Sequence, residues 1–232
     1  RRVLFRSGGS LTGFWPGKYF LDCEAKKLAV GYVTSNEFVH ATPQALGENS
    51  VVILASQQGN TAETVEAARI ARQKGAATIG LVYTPGTPLC EHSDYTIEYC
   101  WARYPETVDP TQQKAAYSLW LALEILAQTE GYDHYAEMVS AFASFESVVR
   151  GAQQQVQADA QHFAEAWKSE KVIYMMGSGP SFGAAHQESI CILLEMQWIN
   201  SASIHSGEYF HGPFEITFDT RKPGFRFAGF IQ

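Results

Sequence analysis

Cysteine is scarce: Cys23, Cys90, Cys100 and Cys191 stand far apart in a chain of 232 residues and form no C-x-x-C pair. Together with the lack of a signal peptide, this gives the expectation of a reduced, cytoplasmic protein. No apolar run reaches the roughly 18 residues of a membrane-spanning helix. Basic residues are few as well, 17 Lys and Arg against 24 Asp and Glu, for a net charge of −7. An acidic surface attracts neither a phosphate backbone nor an anionic lipid, which excludes nucleic-acid and membrane partners but not one small phosphate. G-x-x-x-x-G-K-[ST], a strict G-x-G-x-x-G and G-x-S-x-G are all missing. Their absence argues against a Walker loop, a dinucleotide site and a nucleophile elbow.

What is present is a core and an alternation. Hydrophobic residues make up 46% and charged residues 18%, the balance of a globular protein. Val3–Phe5 is a short strand-like run that enters the loop Ser7–Gly9, and a helix is predicted from about Leu11 to Lys26. Leu28–Val33, Ser50–Ser56, Ala76–Val82 and Tyr95–Tyr99 read as further strands, "SVVILAS" being suited to burial on both faces. The helix "TAETVEAARIARQK" has Asn60 and Glu63 as a capping-box-like start and Gly75 as its stop. Residues 109–168 read as helical almost throughout. Lys171–Met176 then enters a second glycine loop, "GSGPSFG", followed by an apolar helix. Such alternation predicts an α/β fold with parallel sheets between helices. Strand, glycine loop and helix recur at Val3–Lys26 and Val172–Met196, which predicts two related units, 1–150 and 151–232. The chain opens on "RRVLFRSGGS" without Met and closes on a strand-like "GFRFAGFIQ". A piece of a longer protein is therefore expected, with the first unit incomplete at its start and the second lacking its C-terminal part.

Three strand-to-helix turns are rich in small polar residues: "SGGSLTG" with Ser10, "SQQGNT" with Ser56, Gln57, Gln58 and Thr61, and "GSGPS" with Gly177 and Ser178. Turns of this kind lie at the carboxyl ends of strands, where open α/β sheets bind ligands and helix N-termini offer free N–H groups. None carries Lys or Arg after Arg6, so a phosphate there is held by dipoles and hydroxyls; the same residues also suit ordinary capped turns.

Glu195 is the one charge between Glu188 and His205, set among Ile190, Ile192, Leu193, Leu194, Met196, Trp198 and Ile199. A carboxylate on a buried helix needs a partner. Either it is structural, or burial raises its pKa and makes it a general base. His205, Glu208 and His211 follow at intervals that drift around an α-helix and run into Gly212–Pro213. That pattern favours polar packing or a cap over a metal set, and leaves one histidine suited to proton transfer.

On these residues the chain resembles the sugar isomerase (SIS) family. "SQQGNTAET" is similar to its S-x-S-G-x-T phosphate loop, with Gln58 in place of the second serine, and "SGGS" to its first glycine loop. "EMQWINSASIHSGEYFHGP" resembles the family's E-x₁₅-H-G-P block. "ICILLEMQWI" and "IHSGEYFHGPFEIT" are most similar to the deglycases acting on 6-phosphofructose-aspartate and fructoselysine 6-phosphate. The resemblance implies two SIS domains, each a three-layer α/β/α unit, in a homodimer with active sites at its interface and no metal or redox cofactor. By motif, Glu195 matches the general base and His211 an acid/base histidine supplied by the neighbouring subunit. Ser10, Ser56, Gln57, Gln58 and Thr61 match phosphate-loop positions, while Glu208 and His205 line the pocket or orient His211. The implied substrate is a small sugar phosphate, and the implied reaction is cleavage of a phosphorylated Amadori compound. An aldose–ketose or amino-sugar isomerase and a non-enzymatic sugar-phosphate regulator are the alternatives. A lysine that the amino-sugar synthase carries three residues before its glutamate is Ile192 here, which argues against that enzyme's own reaction.

Overall fold

A computed structural model of the chain describes residues 1–7, 9–102, 107–217 and 226–229; of these, the side chains of residues 9, 10, 217 and 226–229 are not described. It divides into two units, Arg1–Val149 and Arg150–Gln232.

Six of the seven residues of β3 (Ser50–Ser56) are buried because this strand is central to a five-stranded parallel sheet. The strand order is β2-β1-β3-β4-β5, with β1 at Arg2–Ser7, β2 at Ala29–Thr34, β4 at Ala77–Val82 and β5 at Tyr95–Glu98. Parallel pairing aligns Ser7 with Ala55 and Ser56 with Val82. Successive side chains of a strand point to opposite faces, so each strand feeds two cores. Leu4, Val52, Leu54 and Val82 pack with Phe38 of α2 (Ser35–His40) and Ala67, Ala68 and Ala71 of α3 (Ala62–Gln73). Val3, Phe5, Ile53, Ala55 and Leu81 pack with Leu21 of α1 (Trp15–Glu24) and Ala122 and Leu126 of α5 (Lys114–Glu130). Helices thus cover both faces. α1 lies so close to α5 that a Cβ on Gly17 would collide with the Ser118 carbonyl, and the Gly17 N–H instead donates to Ser118 Oγ at 3.2 Å.

The helix predicted over Leu11–Lys26 is two elements, a 3₁₀ segment Gly9–Phe14 and then α1. Pro16 is the reason: it lacks an N–H and fits only the first turn of an α-helix. The capping box is not formed. Thr61, not Asn60, is the N-cap of α3, and it makes no side-chain cap bond. Gly75 does end the helix, at φ +82°, with the Ala76 N–H reaching back to the Ala71 carbonyl at 3.0 Å. Two short helices went unread in the sequence, α2 and α4 (Pro88–Glu91).

Arg6 is the largest fully buried side chain of this unit. Its Nη1 donates to the Phe5 carbonyl at 2.6 Å and its guanidinium stacks 5.0 Å from the Phe38 ring, but Nε has no acceptor. Burial pushes its pKa down to about 10.

In the second unit, β6 (Val172–Gly177) lies between β7 (Asn200–His205) and β8 (Arg226–Gly229), all parallel. Its core is small: Ile173, Met175, Ala185 and Leu193, with Phe163, Trp167 and Ile199 against them. α6 (Tyr135–Ala143) and α7 (Phe145–Trp167) complete the helical stretch expected from the sequence. The apolar helix after the second glycine loop is also two elements, α8 (Phe182–Gln187) and a π-helix, Glu188–Met196. Among the described residues no helix is long and apolar enough to cross a membrane.

Candidate active site

α1 leaves β1 toward one face of the first sheet and α3 leaves β3 toward the other, which opens a crevice outside the carboxyl ends of these neighbouring strands. Ser7 ties the two ends together, its Oγ donating to the Ala55 carbonyl at 2.7 Å. The turn that follows β3 is rigidly built. The Gln57 carbonyl accepts from Tyr83 and Thr84 N–H at 3.0 and 3.3 Å, and Gly59 N–H donates to the Ser56 carbonyl at 3.2 Å. Gly59 sits at φ +62°, and a Cβ there would strike the Thr87 side chain, so only glycine fits. Buried Ser56 and exposed Thr61 join hydroxyls at 2.9 Å. Thr61 therefore turns its oxygen into the loop and leaves the first N–H groups of α3 without a side-chain cap. Gln57 is half-buried and Gln58 exposed. The structure thus gathers Ser56, Gln57, Gln58 and Thr61 in one turn with hydroxyls and a helix N-terminus. Ser10 lies in the 3₁₀ segment after β1, its side chain outside the described residues, as is Gly8.

In the second unit Gly177 ends β6 and Ser178 is the N-cap of a 3₁₀ turn, Gly179–Ser181, its carbonyl accepting from Ser181 N–H at 3.1 Å. Glu195 corrects the sequence reading: it is exposed. Its helix buries only Ser189 and Leu193, while Leu194, Met196 and Trp198 are 39%, 63% and 89% exposed. The apolar neighbours therefore surround the carboxylate without covering it. Glu188, at the start of the same helix, is half-buried, and burial raises its pKa.

His205, Glu208 and His211 lie on and just before a short 3₁₀ helix. Ser206–His211 is a 3₁₀ helix, in which residues three apart eclipse, so Glu208 and His211 share one face. His205 is its N-cap, Nδ1 accepting from Gly207 N–H at 3.2 Å. Among the described residues no three His, Cys, Asp or Glu side chains are grouped as a metal set.

A parallel sheet covered by helices on both faces, with a polar, cation-free turn at its switch point, defines an open, doubly wound α/β protein. The chain belongs to the SIS domain family, whose model matches residues 23–118. It is 40% identical over 209 residues to the fructosamine deglycase of Bacillus subtilis, covering 90% of this chain and 63% of that protein. It is 25% identical over 229 residues to the fructoselysine 6-phosphate deglycase of Escherichia coli K12, covering 93% and 62%. The chain thus spans less than two thirds of the length of these two relatives. A crystal structure from Salmonella typhimurium LT2, described as a phosphosugar isomerase, superposes with a TM-score of 0.94 at 81% identity, covering 98% of this chain and 67% of that one.

Proposed function

We propose that this chain is part of a cytoplasmic deglycase that splits a 6-phosphorylated Amadori compound into glucose 6-phosphate and a free amino acid. The observation that carries this is the Ser56–Thr61 turn, a neutral phosphate seat at the switch point of the sheet. Supporting it, the Bacillus and Escherichia relatives are named deglycases of fructosamines and of fructoselysine 6-phosphate. In this reading the second unit is a second SIS domain with its own glycine turn at Gly177 and Ser178.

The chemistry needs one base and one acid. In an open-chain 1-amino-1-deoxyketose, Glu195 takes a proton from C1, next to the C2 carbonyl. Return of a proton at C2 leaves a C1 imine, which water splits into aldose and amine. His211 opens the ring or protonates the leaving amine, and Glu208, on the same face of its 3₁₀ helix, orients it. A positioned acid or base contributes roughly 10²–10⁴ each. Glu195 works in water-poor surroundings only if its exposed apolar neighbours are covered, and the occupant we assign is the second subunit of a homodimer.

The test is a panel of 6-phosphorylated Amadori compounds, given to a chain of the relatives' full length. Glucose 6-phosphate is expected to appear with an equal amount of free amine. Conversion of a sugar phosphate to its isomer, without amine, would favour the isomerase reading that the Salmonella likeness suggests; binding without turnover would favour a regulator. Replacing both Ser56 and Thr61 by Ala removes two hydroxyls from a charged ligand, and affinity for glucose 6-phosphate is expected to fall ~10–100-fold. Unchanged affinity by calorimetry would put the phosphate elsewhere.

A further inference from the structure

The strand that leads to His211 and the helix that carries Glu195 meet through polar side chains where apolar packing is the norm. On β7, Ser201, Ser203 and His205 alternate onto one face. On the helix, Phe182, His186 and Ser189 are spaced by four and three residues, one stripe of a helical surface. The two rows pair in order. Ser201 Oγ donates to Ser189 Oγ at 2.9 Å, Ser203 Oγ lies 2.8 Å from His186 Nδ1, and the His205 ring is tilted 5.2 Å from Phe182, which itself stacks on His186 at 6.2 Å. Ser189 is fully buried.

Apolar contact is non-directional and tolerates sliding or rotation of a helix on a sheet; hydrogen bonds do not. The consequence lies downstream. Beyond Ser189 the helix buries only Leu193, and its winding widens to π, with Gln197 N–H donating to the Ile192 carbonyl at 3.0 Å and Ile199 N–H to the Leu193 carbonyl at 2.9 Å. Trp198, just after it, holds φ at +57°, a backbone state unfavourable for a bulky side chain that is itself exposed. The segment bearing Glu195 is therefore under-packed and locally strained at its end. Its register has two fixed points, the serine–histidine row before it and Ile199 after it. Resting on the functional reading above, we infer that His186 and Ser203, with Ser189 and Ser201, are positioning residues that set where Glu195 stands. None of them bears a proton in the chemistry. Burial lowers the His186 pKa, and its Nδ1 shares a hydrogen bond with the Ser203 hydroxyl.

The test compares Ser203→Thr with Ser203→Val, two side chains of the same shape that differ by one hydroxyl. Threonine keeps the bond to His186 and is expected to hold kcat within about threefold, whereas valine loses ~10–100-fold in kcat, since a misplacement of about 1 Å costs on that order. KM stays equal in the two, because phosphate is held elsewhere. Amide hydrogen exchange over Glu188–Met196 is expected to be about tenfold faster in the valine variant, with the rest of the chain unchanged. Equal kcat in both variants would overturn the proposal, as would a loss that only tracks the unfolded fraction. If the unsubstituted protein splits no phosphorylated Amadori compound, the functional reading is at fault. The hydrogen exchange comparison then decides positioning by itself, and equal exchange in the two variants overturns it.

Discussion

Glu195→Gln is expected to lower kcat by ~10²–10⁴ while leaving the melting temperature within a degree or two. The substitution keeps shape and hydrogen-bonding reach and removes only the ability to take the C1 proton. Stability should hold because the side chain is exposed on the chain, so nothing packed or paired is lost. KM should change little, since the phosphate is assigned to the Ser56–Thr61 turn. This split matters: a structural carboxylate would show the reverse, a lower melting temperature with turnover intact. Steady-state kinetics on the best Amadori compound, with a thermal melt of the same sample, make the comparison. Near-normal turnover in the glutamine variant sinks the assignment of Glu195 as base.

Mixing two inactive proteins should restore activity if His211 serves the neighbouring subunit. His211 is exposed on a 3₁₀ turn beside Phe210, 76% exposed, and the Glu195 helix shows Met196 and Trp198 to solvent. Both candidate groups are thus rimmed by apolar surface that a second copy would cover. In a two-fold dimer each site takes Glu195 from one subunit and His211 from the other. A mixed dimer of Glu195→Gln and His211→Ala subunits then holds one intact site and one doubly damaged site. With free exchange half the dimers are mixed, so about a quarter of wild-type activity is expected to return. Exchange is verified separately by mass spectrometry. Mixed dimers without activity would mean that base and acid act within one chain.

The α/β class, the parallel sheet and the polar turn after β3 were legible in the sequence because they follow from local chemistry. A β-branched run such as "SVVILAS" fits only a strand covered on both faces, and a turn with Gly59 at positive φ advertises itself by composition. Proline divides Leu11–Lys26 in the same local terms: Pro16 fixes where the α-helix can begin. Thr61 marks the limit. Its sequence neighbours suggest a capping box, but a hydroxyl 2.9 Å away on Ser56 competes for its oxygen, and that partner is set by how the strand end and helix start come together.

Tertiary structure alone decided the exposure of Glu195. Seven apolar neighbours predicted a dry carboxylate, yet burial depends on whether another element lies over the helix, and among the described residues of its own unit none covers Leu194, Met196 or Trp198. Periodicity reports which residues share a face, not what the face meets. The pairing of Ser203 with His186, 17 residues away, is of the same kind: two ordinary polar residues on a strand and a helix, joined only by the parallel register that sets β7 against β6. Even the spacing of Glu208 and His211 changed meaning with the fold. Three residues apart, they stand about 60° from each other around an α-helix and eclipse on the 3₁₀ turn that this segment adopts. The residue types that suit acid–base chemistry are thus written in the sequence, while their exposure, alignment and anchoring come from long-range packing.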